Sequence, residues 1–130
     1  VENALMDEGE ESVLNVWLRA QTNPQKFLCL LTSAPAETDT MAVLSTKEVY
    51  APGSNGYSRV EITTGDWGAP ALASGDMKST AAEKTFGPAS SANWAALTHV
   101  GLVTASTGQL SGSGKFLLFV ALSVSHSSTP

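Results

Sequence analysis

Hydrophobic residues along the chain gather into three dense runs separated by polar, glycine- and serine-rich connections. The segment from Asn93 to Gly108 carries Leu97, Val100, Leu102 and Val103 with the β-branched Thr98 and Thr104, and it closes on Thr107-Gly108. This pattern predicts a buried strand running into a turn. Lys115 to Val124 (KFLLFVALSV) predicts a second strand, joined to the first by a turn over Gly108 to Gly114. Lys26 to Thr32 (KFLCLLT) is apolar without a break, so the strand it predicts should be covered on both faces. These runs form the spine expected of an all-β domain.

A different period marks the first residues. Val13, Trp17 and Ala20 recur at helical spacing, Leu14 and Leu18 widen the stripe, and acids lead while Arg19 trails, as the helix dipole favours. Residues 2–21 are therefore predicted to be helical, ending at Thr22-Asn23-Pro24 because proline disfavours helical geometry before it. Such a helix either packs on its own domain or docks as an arm on a neighbouring subunit, with Trp17 as the anchor in both cases. Ser33 to Ser45 reads as a long loop suited to contacts. Thr46 to Tyr50 reads as a short edge strand, and Pro52 to Gly56 as a turn.

Tyr57 to Thr63 alternates with period two, placing Val60 and Ile62 on one face and Tyr57, Arg59 and Glu61 on the other. Residues 64–84 read as a meandering loop or weak edge strands around Trp67. Thr85 to Pro88 reads as a brief strand, Ala89 to Ala92 as a linker, and 125–130 as a polar tail. The organisation expected is a single domain over 1–130, with a helix at 2–21 and a sandwich at 26–124.

Composition narrows the function classes. With 130 residues the chain suits one domain that needs neither disulfide nor metal to fold. Charged residues make up only 15% of it, against about 25% in an average soluble domain. That balance suits neutral outer sheet faces or a subunit buried in an assembly. The net charge of -5 argues against a nucleic-acid surface, which would carry a basic stripe. Cys29, the single cysteine, lies in an apolar run and is expected to be a buried, unreactive thiol. The acidic N-terminus is unlike a signal peptide, and no apolar run approaches the length of a membrane-spanning helix.

Candidate chemistry is sparse. His99 sits in an apolar strand, where a hydrogen-bonded structural histidine is the expectation, while His126 in the tail is expected to be solvated. A general base at His99 would need a nucleophile nearby, and no G-x-S-x-G elbow is present. One cysteine and two histidines do not make a zinc site, and the early acids lack calcium-loop spacing, so no metal or cofactor is expected. Ser111 to Lys115 (SGSGK) lacks the full phosphate-loop pattern, with Phe116 at the hydroxyl position. Among Trp17, Trp67 and Trp94, Trp67 in its small-residue loop is the best candidate for an exposed contact with a protein or a glycan.

Glu48, Gly56-Tyr57-Ser58-Arg59, Phe86-Gly87-Pro88-Ala89, the Trp94 to Gly101 segment, Ala105 to Gly108 and Leu117-Leu118 occur in an order that resembles a family of small virion structural proteins of tailed bacteriophages. Asn3-Ala4-Leu5 and the strand Leu28 to Thr32 fit the same pattern, so the resemblance spans residues 3–122. Tyr57, Arg59, Trp94, His99 and Gly101 are its structural motif residues. The resemblance implies a jelly-roll-like β-sandwich with an N-terminal α-helix and a non-enzymatic role. The location it implies is a capsid decoration or cement protein on the outer surface of the head, as a homotrimer on the major capsid protein, with no membrane partner. The alternative is a tail- or fibre-associated module, with Trp67 or the Ser33 to Ser45 loop meeting a host glycan. Trp17 and Trp67 are the candidate interface residues.

Overall fold

The computed structural model describes residues 3–107 and 114–130. The protein is mainly β with an N-terminal helix. Strand β1 (Asn3–Leu5) leads into helix α1 (Asp7–Arg19), followed by β2 (Lys26–Leu31), the short helix α2 (Met41–Leu44) and β3 (Val60–Ile62). After a single 3-10 turn come β4 (Ala71–Ala73), β5 (Asp76–Lys78), β6 (Leu97–Val103) and β7 (Phe116–His126). Five strands form one antiparallel sheet in the order β1-β7-β6-β2-β3, and β4 and β5 form a separate hairpin.

The three apolar runs become the three central strands. Phe27 to Leu31 of β2 pair with Val103 to His99 of β6, and β6 pairs on its other side with β7. The edges, β1 and β3, are three residues each, and β7 runs on past its β1 partners, Leu118 to Val120, as far as His126. Covering of β2 on both faces follows the expectation from its unbroken apolar run. On one face Cys29 and Leu31 pack with Met6, Val103, Phe116 and Phe119 under Met41 and Leu44 of α2. On the other, Leu30 packs with Tyr57, Trp94, Ala89 and Leu97.

Several boundaries differ from the sequence reading. The predicted helix over 2–21 begins only at Asp7, because Asn3–Leu5 is claimed by β7 as an edge strand. The Ser33 to Ser45 segment contains α2, whose Met41 and Leu44 plug the core, so its inner side is occupied by its own sheet. Thr46 to Tyr50 does not form an edge strand: only a single bridge, Leu31 to Glu48, links it to the sheet. Tyr57 and Arg59 lie outside β3, which begins at Val60. The brief strand expected at Thr85 to Pro88 is irregular chain. The tail is partly ordered by the sheet, since β7 runs to His126 and the Ser128 carbonyl accepts a bond from the Trp94 N–H at 2.8 Å. The turn expected over Gly108 to Gly114, with the Gly112-Ser113 pair, lies outside the described residues except for Gly114.

Helix α1 is pinned at one end only. Gly9 is its single buried residue, and a Cβ there would stand 2.0 Å from the Leu117 carbonyl oxygen, so only glycine lets the helix meet β7 this closely. Glu8 Oε2 accepts from the Phe116 N–H at 2.6 Å, and Glu11 pairs with Lys115. Beyond Glu11 no residue of the helix is fully buried, and it stops at Ala20, which takes a left-handed conformation with φ 51° and donates its N–H to the Asn15 carbonyl.

Candidate functional site

The motif residues Tyr57, Arg59, Trp94 and Gly101 fall into the interior, and His99 lies half-buried beside them on β6. Arg59 makes a two-pronged ion pair with Glu48, Nε to Oε1 and Nη2 to Oε2, both 2.8 Å. Its third donor, Nη1, reaches the Ala105 carbonyl at 2.8 Å. The Tyr57 hydroxyl donates to Glu48 Oε1 at 2.5 Å and accepts from the Leu30 N–H at 3.1 Å. The Arg59 and Glu48 side chains are 0% and 1% exposed. A buried pair of this kind persists only with its remaining donors and acceptors satisfied, and here they are.

Electrostatics follow from that closure. Burial would lower the Arg59 pKa, but the hydrogen bonds and charge of Glu48 outweigh it and raise it. Burial, then the Glu48 charge, hold the Tyr57 phenol strongly protonated. Burial likewise pushes the Cys29 thiol up to about 12, which keeps it unreactive. Tyr57 and Cys29, the two groups pushed furthest up, are thus both fully buried.

Around this network the other motif residues act as spacers and props. Trp94 packs edge-on against Tyr57, with ring centroids 5.8 Å apart, and donates Nε1–H to the Asn55 carbonyl at 3.0 Å. Gly101 sits between Cys29 and Phe119 in the sheet, and a Cβ there would come within 2.7 Å of Cys29 Sγ. His99 is half-buried, with Nδ1 2.8 Å from Thr98 Oγ1 and its ring edge-on to Phe119. Desolvation lowers its pKa. His126 is exposed, as expected.

Two contributors were not singled out from the sequence as anchors. Glu48 stands out in the sequence only through the family resemblance, because nothing in its spacing from Arg59 announces an ion pair. Asn55, at φ 50°, accepts on Oδ1 from the N–H groups of Ser90, Ser91 and Ala92 and donates to the Ala92 carbonyl. The signal available was its place before Gly56 in a turn, where asparagine tolerates a left-handed backbone and bonds locally.

The exposed surface is where contacts with other molecules can form. Trp17 is 84% exposed and Leu18 76%, so the stripe of α1 is left open to solvent. Between α1 and the sheet runs an apolar trough of 230 Å³, floored by Leu102, Leu117 and Leu118 and walled by Val13 and Trp17. It continues past Lys26 into a broader groove of 560 Å³ that ends at Trp67, and both share Asn23, Lys26, Leu102 and Leu118. The structure therefore brings the two candidate interface residues to opposite ends of one groove. Trp67 is 44% exposed.

Compared with known protein families, residues 4–130 match the podophage GP4 fiber I protein gp80 family. The chain belongs to this family. The resemblance carried by Glu48, Tyr57, Arg59 and Trp94 thus extends to a tailed-phage virion structural protein family, and the protein is a phage virion structural protein. No individual curated protein matches the chain.

Proposed function

We propose that this protein is a non-enzymatic, fibre-associated structural subunit of the virion, acting through contacts with copies of itself and with neighbouring fibre or tail proteins. The match of nearly the whole chain to a fibre protein family carries this reading and favours the tail over the head shell. The structure supports a contact role in a second way. Its polar machinery is consumed internally by Glu48, Arg59, Tyr57 and Asn55, while large apolar residues of α1 stand in water. Exposed apolar patches of this kind mark sites of association.

Assembly as a homotrimer remains part of the proposal, drawn from the virion-protein resemblance. Immunogold labelling of purified particles with antibody against the purified protein tests the location. Gold at the tail fibres is the expected result. Gold over the head would return the protein to shell decoration.

A further inference from the structure

Among the described residues, the chain carries a projecting arm and an apolar trough that no other part of the chain fills. The arm is the β4–β5 hairpin. Every residue from Trp67 to Thr80 is exposed, the two legs of the ribbon are joined at the root by the Trp67–Ala81 bridge and the Gly68 N–H to Thr80 carbonyl bond, and Ala81 packs against the Ile62, Leu102 and Leu117 cluster of the body. A lone two-stranded hairpin is marginal in water. This one also presents Leu72 and Met77 as directly paired cross-strand neighbours, 71% and 66% exposed. The trough is the apolar channel between α1 and the sheet.

We infer that the β4–β5 arm of one copy lies in the α1–sheet trough of a second copy. Apolar character supports this, because the paired Leu72 and Met77 form one apolar knob while the trough offers an apolar floor of Leu102, Leu117 and Leu118. Charge supports it as well. Lys26 stands where the two parts of the trough meet, and among the described residues it bonds Asn23 and the Pro24 carbonyl but no carboxylate. Asp76, next to Met77 on the arm, has no ion-pair partner among the described residues. Partial burial lowers the Lys26 pKa, and a carboxylate arriving there would oppose that shift by favouring the charged ammonium.

Stable interfaces use about 20–30 residues on each side. The arm, residues 67–80, supplies roughly half of that on its side of one seam, and a chain that both gives an arm and receives one takes part in two such seams. Arm and trough are different surfaces, so repeated pairing joins copies head to tail and closes into a ring where the rotation allows.

The inference goes beyond the fibre reading and is tested on purified protein, independently of location in the particle. Sedimentation velocity of the wild type is expected to show an oligomer. The Leu72→Asp/Met77→Asp double variant is expected to sediment as a monomer with an unchanged far-UV circular dichroism spectrum. Single-cysteine additions give a second measurement. Leu72→Cys and Val13→Cys proteins, mixed and oxidised, are expected to form a disulfide-linked heterodimer, while neither does so to the same extent alone. A monomeric wild type overturns the inference and leaves the fibre location standing. Retention of the oligomer by the double variant, or equal cross-linking of either cysteine variant with itself, also overturns it.

Discussion

Replacing Glu48 by glutamine removes one charge and almost no volume. The change therefore isolates the electrostatic part of the buried network from cavity effects. It leaves the Arg59 guanidinium, 0% exposed, facing a neutral amide with only the Ala105 carbonyl as a strong acceptor. Breaking a buried pair by neutralising one partner costs about 3–5 kcal/mol. Unfolding entropy of about 2.1 cal/mol/K per residue, over 130 residues, converts that loss to a drop in Tm of roughly 10–20 °C. Urea denaturation followed by tryptophan fluorescence, with Trp94 beside the network as reporter, measures the loss directly. The paired control is Glu48→Leu/Arg59→Met, which removes both charges. It is expected to recover much of the stability, less about 1 kcal/mol for the lost Tyr57 acceptor. A Glu48→Gln protein within about 1 kcal/mol of wild type would refute the view that this pair holds the 57–59 segment to the sheet.

Other consequences follow from single residues. Gly101→Ala should destabilise by about 1–3 kcal/mol through overpacking against Cys29 and Phe116, and chemical denaturation reads it. Asn55→Ala should cost about 1–3 kcal/mol and speed hydrogen exchange selectively at the Ser90, Ser91 and Ala92 amides that it now bonds. The Cys29 thiol rises from 9.0 to about 12 on folding. The folded state therefore holds this proton more tightly, and stability present below pH 9 is lost as pH climbs from there towards 12. Between pH 8 and 10 the wild type should lose about 1.4 kcal/mol more than Cys29→Ala, measured by urea titrations at each pH. Trp17→Ala should change folding stability by less than about 0.5 kcal/mol, because its ring is largely in water.

The strands that build the core were legible because their apolar runs are long and dense. Lys26 to Leu31, Leu97 to Val103 and Phe116 onward appear as β2, β6 and β7 close to where the pattern put them. Short elements were not legible. Asn3–Leu5 has too few residues for a period of its own, and only its pairing with Leu118 to Val120 makes it a strand. Met41–Leu44 sits in a segment that reads as loop because its two buried residues are defined by what they cover. Trp17 and Trp67 were legible as candidate contacts, yet the trough that links them is made by strands far apart in sequence. Glu48 and Arg59 meet for the same reason, through a chain path that no local pattern encodes.

Copy number per purified particle tests the central claim most directly. Quantitative mass spectrometry against the major capsid protein and one tail protein would supply it. A fibre-associated subunit is expected at a small number of copies that scales with the tail protein. Hundreds of copies scaling with the shell would contradict the account and identify a head decoration protein instead.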